Sequence, residues 1–220
     1  MSSKPPEDKD SLEALPDPGP EPVPPKKFGV VFWLLNSIEM FERLGYFCLR
    51  VMAPIYIMQV GEKNPGGLHL TASHKGWIYA WWAMLQSGLP IFTGGIADRY
   101  GYKRILGLSI AMNFGGYLIM AFFHSYYGFF SGVLLLAAGT AFFKPSIQGS
   151  LAQSMDKGNA SMGWGIFYWV VNIGSVVAHY IAGPIVGDKS AEGWQRLMLA
   201  GAVATAMNAL LLFTFKDVPS

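Results

Sequence analysis

Six long apolar segments alternate with short polar segments along most of the chain. The apolar segments cover residues 28–60, 76–97, 105–123, 128–152, 164–187 and 195–215. A helix needs roughly 20 apolar residues to cross the hydrocarbon core of a bilayer, and each segment comes close to or exceeds that length. The pattern therefore predicts an all-α membrane protein in which residues 28–220 form one bundle of six transmembrane helices. The first segment is longer than the core is thick, so we expect it to tilt or to protrude.

The composition agrees with a membrane protein and sets the first 27 residues apart. Apolar residues make up 52% of the chain and charged residues only 14%, whereas soluble domains carry about 25% charged residues. Residues 1–27 are rich in proline and charge and contain almost no aromatic residues, which predicts a disordered cytoplasmic tail. Cys48 is the single cysteine, so a disulfide framework is excluded.

Basic residues are unevenly distributed between the two sides of the predicted bundle. One side carries Lys26, Lys27, Arg99, Lys103, Arg104, Lys157 and Lys216. The other side carries Lys63, Lys75, Lys189 and, at the membrane boundary, Arg196. Because cytoplasmic loops are enriched in lysine and arginine, this asymmetry predicts cytoplasmic amino and carboxyl termini. We expect an integral, multi-pass protein of the cell membrane.

Ionisable residues within the first apolar segment are the strongest indication of function. Spacings of three or four place one polar stripe on a single helical face, formed by Asn36, Glu39, Glu42, Arg43, Tyr46 and Arg50. A charged group at the bilayer centre costs about 3 kcal/mol on insertion scales, so it normally faces a cavity or a partner. An internal Glu39–Arg43 ion pair would be a purely structural explanation. Two carboxylates and two guanidiniums exceed that need and favour a site that couples a proton to an anionic substrate.

Other apolar segments contain polar residues that could line the same cavity. Lys144 lies deep in the fourth segment and precedes Pro145, too far from a membrane boundary for simple snorkelling. The fifth segment has a second stripe, formed by Trp164, Tyr168, Asn172, Ser175 and His179. Hydrogen bonding between helices is the alternative explanation for that stripe. Tyr79 and Gln86 share a face of the second segment, where Tyr79 would serve either the cavity or a membrane boundary.

The connection between the second and third segments, GGIADRYGYKR, combines an acid, several bases and glycines. Membrane orientation alone would explain the bases, but it needs neither the acid nor the glycines. A contact between helix ends that forms in one conformational state and opens in another would need them. We therefore expect a conformational latch formed by Gly94, Asp98, Arg99, Gly101, Lys103 and Arg104.

Several of these segments resemble known transporters. GGIADRYGYKR resembles the signature between the second and third helices of the major facilitator superfamily. EMFERLGYF, residues 39–47, resembles the E-x-x-E-R-F-x-Y-Y pattern of the proton-dependent oligopeptide transporters, from which Leu44 and Phe47 depart. GTAFFKP and FYWVVNIGS resemble that family's fourth-helix and fifth-helix motifs, which places Lys144 and Asn172 at the family's positions. The departure at Phe47 removes a hydroxyl and leaves the charged residues intact.

The resemblance implies uptake of di- and tripeptides driven by protons. From the pattern and the resemblance together, the candidate substrate-binding residues are Arg43, Tyr46, Tyr79, Lys144 and Asn172. The candidate proton-coupling residues are Glu39, Glu42 and Lys144. Arg43 and Lys144 would receive the peptide carboxylate, and one of the two glutamates would pair with Lys144 when no peptide is bound. The sequence leaves open which glutamate it is.

Alternatives to peptide transport remain open. The same two cations would serve nitrate or another anion, and a half-transporter without activity of its own could act as a membrane interaction partner. An enzyme is not expected, because H-E-x-x-H, G-x-S-x-G and P-loop motifs are absent. We expect no cofactor, metal ion or nucleic acid, and we expect small peptides, protons and the lipid bilayer as partners.

A second half is also expected as a partner. Transporters of this superfamily bind substrate between two halves of six helices each. The six apolar segments would supply one such half, the amino-terminal one. We expect the other half in a missing carboxyl-terminal portion or in another chain, with a homodimer of this chain as the alternative.

Overall fold

The computed structural model describes residues 27–214, which form seven α-helices. The helices are α1 (Val30–Met58), α2 (Ala72–Gly88), α3 (Pro90–Tyr100), α4 (Tyr102–Phe122), α5 (Tyr126–Gln153), α6 (Ala160–Val186) and α7 (Ala191–Phe213). The predicted all-α class is confirmed. Apart from Lys27, the predicted tail lies outside the described residues, as do residue 215 and Lys216. By length and composition, α4, α5, α6 and α7 can each cross a membrane.

The second predicted apolar segment, residues 76–97, is divided between two helices. α2 ends at Gly88 and α3 begins at Pro90, which occupies the first turn of α3. Pro90 has no N–H and its ring clashes with the preceding turn, so a continuous helix through this point is disfavoured. The described residues therefore form seven helices where six apolar segments were predicted.

Glycines allow the longest helices to approach one another closely. A Cβ atom at Gly116 in α4 would lie 2.8 Å from the carbonyl oxygen of Gly132 in α5. A Cβ atom at Gly201 in α7 would lie 2.4 Å from the Tyr117 ring, and one at Gly45 in α1 would lie 3.5 Å from Gly201. Small residues at such contacts are typical of helices packed in membranes. As a result α4 packs against α5 and α7, while α1 packs against α6 and α7.

Two apolar clusters form the core and leave a polar layer between them. One cluster lies at the end of the bundle that contains the α1–α2 connection, with its largest buried side chains at Tyr56, Trp82, Phe129 and Trp194. The other cluster includes Phe32, Leu106, Phe143, Leu151 and Leu212. Along α1, the buried members of the second cluster end at Ile38 and those of the first begin at Tyr46. Glu39, Glu42 and Arg43 lie between these two positions.

The segment between α1 and α2 is fastened to the α6–α7 connection. Asn64 is fully buried, its amide donates to the Gln59 carbonyl at 2.9 Å, and its side-chain oxygen accepts a hydrogen bond from Trp194 Nε1 at 2.8 Å. The Gly66 N–H donates to the Lys189 carbonyl at 2.9 Å, and Lys189 Nζ donates to the Gln59 side chain at 3.0 Å. We call these contacts the Asn64 clamp. The clamp holds the end of α1 against the start of α7.

Candidate functional site

The polar stripe of α1 is buried inside the bundle. No more than 8% of the surface is exposed for Asn36, Glu39, Glu42, Arg43 and Tyr46. Arg50, at the end of the stripe, is partly buried. Charged side chains are seldom buried without a partner, so their contacts determine what this stripe can do.

Arg43 contacts both glutamates of the stripe, but unequally. Its Nε donates a hydrogen bond to Glu42 Oε2 at 2.5 Å, and its Nη2 forms an ion pair with the same oxygen. Glu39 Oε1 lies farther away, at 3.3 Å from Nε. Glu39 Oε2 is buried and has no hydrogen-bond partner among residues 27–214. When all three groups are ionised the cluster has one excess negative charge, and Glu39 is the glutamate that is less neutralised.

Lys144 of α5 shares a cavity with this cluster. The cavity has a volume of about 200 Å³ and is lined by Glu39, Arg43, Lys144, Ile147, Gln148, Phe167, Tyr168 and Val171. No carboxylate of the described residues lies within 4.0 Å of the Lys144 ammonium. A cation without an ion-pair partner in the described part of the chain therefore lines the same cavity as the less neutralised glutamate. Of the predicted site residues, the structure brings Glu39, Arg43 and Lys144 together here.

Thr93 of α3 supports the backbone next to Lys144. Pro145 has no N–H, so it cannot donate the helical hydrogen bond that the Ala141 carbonyl would otherwise accept. The Thr93 hydroxyl donates to that carbonyl instead, at 2.7 Å. A Cβ atom at Gly94 would lie 3.9 Å from Pro145 Cβ, so the two helices are in contact at this point. The sequence-based prediction did not include Thr93, although Pro145 signals that a carbonyl in α5 needs another donor.

Arg50 forms a second cationic position, between two aromatic rings of α2. Its Cζ atom lies 4.4 Å from the ring centroids of both Tyr79 and Trp82. Arg50 Nη1 and Tyr79 Oη are buried and lack hydrogen-bond partners among the described residues. The structure thus places Tyr79 beside Arg50, not in the cavity that Lys144 lines. Trp82 was not predicted as a site residue, because its contact with Arg50 depends on how α2 packs on α1.

Tyr46 connects the two cationic positions. Its ring centroid lies 5.0 Å from Arg43 Cζ and 5.8 Å from the Trp82 ring. Its hydroxyl donates a hydrogen bond to Gln86 Oε1 at 3.0 Å. Tyr46 and Gln86 are therefore in direct contact and join α1 to α2, a contact that the sequence analysis did not predict.

Asn172 lies on the exposed face of α6. Its amide donates to the Tyr168 carbonyl one turn earlier, at 2.8 Å. Farther along the same face, His179 Nδ1 lies 2.7 Å from the Ser175 carbonyl oxygen. The structure does not bring Asn172 into the cavity that Lys144 lines. Tyr168, which the sequence pattern placed in the same stripe without assigning it a role, lines that cavity instead.

The residues predicted as a latch lie where α3 meets α4. Gly101 separates the two helices with φ at +92°, a conformation that glycine adopts readily. The Tyr102 hydroxyl donates to Asp98 Oδ1 at 2.5 Å, and a Cβ atom at Gly149 in α5 would lie 2.5 Å from the Tyr102 ring. The guanidinium of Arg99 lies 5.7 Å from the ring centroid of Tyr100. Asp98 is therefore bound by a tyrosine that packs on the end of α5, a contact that the sequence motif did not indicate.

A helical bundle with ionisable residues buried around a small cavity has the architecture of a membrane transport protein. The model of the Major Facilitator Superfamily matches residues 35–220, and the chain belongs to this superfamily. Its sequence relatives include the dipeptide and tripeptide permease A of Pectobacterium carotovorum, 27% identical over 80% of this chain and 34% of the permease. The permease A of Escherichia coli K12 is 28% identical over 80% of this chain and 35% of that protein.

Solved structures with the same fold come from the POT family of transporters. A POT family transporter in complex with 5-aminolevulinic acid superimposes with a TM-score of 0.78, at 22% identity, over 88% of this chain and 40% of that one. The POT family transporter PepTSo gives a TM-score of 0.71, at 20% identity, over 88% and 39% of the two chains. The resemblance to the proton-dependent oligopeptide transporters is confirmed, and these relatives are transporters, not enzymes. The chain spans about a third of the length of the curated relatives it matches.

Proposed function

We propose that this chain supplies the amino-terminal half of a proton-coupled symporter of di- and tripeptides. One observation carries the proposal. Lys144, which has no ion-pair partner among the described residues, lines the same cavity as the buried Glu39–Arg43 pair. The relatives named as dipeptide and tripeptide permeases support peptides as the substrate class.

The substrate carboxylate binds to the two cations of the cavity. Arg43 offers a planar guanidinium and Lys144 a compact point charge, and both suit a carboxylate. Before the peptide binds, the Lys144 ammonium stabilises the ionised form of Glu39. A peptide carboxylate at Lys144 cancels that stabilisation, and the buried Glu39 then takes up a proton. Glu42 remains neutralised by Arg43, which keeps the guanidinium oriented toward the cavity.

The remaining predicted binding residues contact other parts of the substrate. Tyr46 lies between the two cationic positions and can reach a peptide bound at either of them. Tyr79 and Arg50 form a second position, at which a buried N–H group and a buried hydroxyl are without partners in the described part of the chain. Asn172 contacts the substrate from the exposed face of α6.

The bundle crosses the membrane six times with both termini in the cytoplasm. α2 and α3 together form one span that is broken at Leu89, and each of the other five helices forms a span of its own. The basic residues of the α3–α4 and α5–α6 connections support this orientation. An impermeant maleimide that labels a cysteine placed at Lys157 from outside intact cells would contradict it.

The latch acts through Asp98 at the α3–α4 junction. In the described conformation Asp98 accepts a hydrogen bond from Tyr102. Arg99 and Arg104 have exposed side chains nearby, and Lys103, in the first turn of α4, is partly buried. During transport Asp98 exchanges its tyrosine partner for a basic partner as the two halves move, while Gly94 and Gly101 allow the helix ends to shift.

A second six-helix unit covers the exposed face of α6. That face exposes Tyr168, Asn172 and His179, which are poorly suited to contact with lipid. Substrate sites in transporters of this class lie between two halves. The same face is adjacent to the cavity through Tyr168, so a second half placed there would complete the substrate site.

Uptake of a labelled dipeptide tests the proposal. The protein is isolated from membranes of its own host and reconstituted in proteoliposomes with an imposed inward proton gradient. We expect the vesicles to accumulate the dipeptide. We expect Lys144→Ala to lower the accumulation by about tenfold or more, since loss of the cation removes at least about 1.4 kcal/mol of the free energy that couples substrate binding to protonation. Lys157→Ala, at an exposed position in the α5–α6 connection, serves as the matched control.

Two outcomes would overturn the assignment. Unaltered accumulation by Lys144→Ala would exclude the coupling mechanism. Transport of nitrate or another anion by vesicles that take up no dipeptide would assign the two cations to a different substrate.

A further inference from the structure

A groove between α4 and α7 is separate from the proposed transport site. It has a volume of about 280 Å³ and is lined by Gly107, Ile110, Ala111, Phe114, Thr205, Ala206, Ala209, Leu212 and Phe213. Thr205 is the one residue with a polar side chain in this lining, and its hydroxyl already donates to the Gly201 carbonyl at 2.9 Å. The groove therefore offers contact surface that is almost entirely apolar.

The exposed faces beside the groove are those of helices in contact with hydrocarbon. Along the middle of α4 and α7 the exposed large side chains are Leu108, Phe114, Val203, Met207 and Leu210. By contrast, α6 exposes polar side chains at Asn172 and His179. Both α4 and α7 are long and apolar enough to cross a membrane. The groove thus opens toward the bilayer, not toward the face that α6 presents to a second half.

A groove of this size in a lipid-facing surface has to be filled. The small residues Gly107, Ala111, Ala206 and Ala209 leave the space, and no side chain of the described residues occupies it. Atoms that line an unfilled space lose their van der Waals contacts on that side. An acyl chain is the flexible apolar group that a bilayer supplies at this surface.

Arg104 lies on α4 one turn before Gly107, the first α4 residue that lines the groove, and offers a positive charge beside it. It is exposed in the first turn of α4, three residues before Gly107, so Arg104, Gly107, Ala111 and Phe114 follow one another on one helical face. A guanidinium binds a phosphate through paired hydrogen bonds, and basic residues beside gaps between membrane helices favour anionic headgroups. The separation of about one helical turn between Arg104 and Gly107 would let one lipid place its phosphate at Arg104 and an acyl chain in the groove.

We propose that the α4–α7 groove binds one acyl chain of an anionic phospholipid whose phosphate is held by Arg104. The lipid fills the groove with its chain and is selected by its headgroup charge. This site is independent of the cavity at Lys144, because none of the residues lining one lines the other.

Native mass spectrometry of the purified protein tests the site. The protein is incubated with equal amounts of phosphatidylglycerol and phosphatidylcholine before ionisation, and the retained lipid is identified by mass. We expect one molecule of phosphatidylglycerol per chain, retained about tenfold more often than phosphatidylcholine. Arg104→Gln should abolish the preference, and Ala206→Phe, which fills the groove, should abolish retention of both lipids.

Two control variants keep the test specific. Val203→Phe adds the same ring at an exposed position of α7 outside the groove, and Arg196→Gln removes an exposed charge near the opposite end of α7. Both control variants should retain phosphatidylglycerol as the parent protein does. The melting temperatures of all four variants in detergent should equal that of the parent protein. Equal retention of both lipids by the parent protein would overturn the proposal. So would unchanged retention by Ala206→Phe, or lipid-free dimers in which a second copy covers the groove.

Discussion

Glu39 and Glu42 lie about one helical turn apart on α1 and make different contacts with Arg43. Glu42 is contacted by two nitrogens of the guanidinium, whereas Glu39 is contacted by one, at 3.3 Å. An ion pair buried in a membrane protein is costly to break because it leaves one charge unpaired. In the proposed mechanism Glu42 therefore has a mainly structural role, and Glu39 is the carboxylate that changes its charge during transport.

Exchange of each glutamate for glutamine separates these roles. Glu42→Gln should lower the free energy of unfolding by about 1–3 kcal/mol, because Arg43 loses its closest charged partner. Glu39→Gln should change stability less, but should abolish proton-driven accumulation while leaving dipeptide exchange across the membrane intact. The measurements are the melting temperature in detergent and the pH dependence of uptake in proteoliposomes. Glu62→Gln in the exposed α1–α2 connection is the control. If Glu39→Gln lowered stability more than Glu42→Gln and Glu42→Gln abolished accumulation, the assignment would be refuted.

Thr93 provides a second prediction at the scale of single residues. Pro145 cannot donate the helical hydrogen bond to the Ala141 carbonyl, so the Thr93 hydroxyl is its donor. Thr93→Val keeps the shape of the side chain but removes that hydroxyl. Hydrogen bonds between membrane helices contribute about 0.6 kcal/mol on average and up to about 1.7. We expect Thr93→Val to lower stability within that range and Thr93→Ser, which retains the hydroxyl, to stay near the parent protein. Unfolding by titration with a denaturing detergent measures the difference, and equal stability of both variants would show that this bond contributes nothing.

At the scale of elements, α6 reaches Arg43 because Gly174 has no side chain. A Cβ atom there would lie 3.1 Å from Arg43 Cβ and 3.2 Å from the Met40 carbonyl oxygen. Gly174→Leu should push α6 away from α1 and lower the free energy of unfolding by about 1–3 kcal/mol. Gly165→Leu in the same helix is the matched control, since no atom lies within 4 Å of its Cβ position. A melting temperature for Gly174→Leu equal to that of Gly165→Leu would contradict the close packing.

The helices themselves were largely predictable from the sequence, and their breaks and contacts less so. Long apolar segments identify helices because a bilayer requires a minimum apolar length of each helix that crosses it. The break at Pro90 carries a local signal, which a count of apolar residues overlooks. The contact between Tyr102 and Gly149 has no local signal in the sequence, because it depends on how the α3–α4 junction meets the far end of α5.

At the scale of the whole molecule, the proposed arrangement gives α6 a face that lines a water-filled substrate cavity and α7 a face that contacts lipid. Asn172→Cys on α6 and Val203→Cys on α7 place thiols at exposed positions on the two faces. An impermeant maleimide should label the first in opened membrane vesicles and not the second, because hydrocarbon excludes the reagent. The native Cys48 is 4% exposed and should add little background. Equal labelling of both cysteines would show that α7 does not face lipid.

The sequence alone could predict the charged residues of the candidate site, but not which side chains the fold brings together around them. Glutamate, arginine and lysine inside apolar segments are conspicuous because each is costly in lipid, and this is how Glu39, Arg43 and Lys144 were identified. The aromatic pair around Arg50 and the position of Asn172 outside the cavity follow from the rotation of α2 and α6 about their axes. Helical periodicity fixes which residues share a face, but not where that face points.

The ion pairs of Arg43 lie within α1, and this has a consequence for biosynthesis. α1 is synthesised before α2 to α7, so in the proposed six-span arrangement none of these helices can neutralise its charges when it enters the membrane. Each bare charge at the bilayer centre costs about 3 kcal/mol on insertion scales. Because Glu39, Glu42 and Arg43 are within reach of one another on one helix, α1 can leave the translocation channel with part of that cost already offset. In the proposed mechanism, the residues that handle a proton thus also ease the insertion of α1.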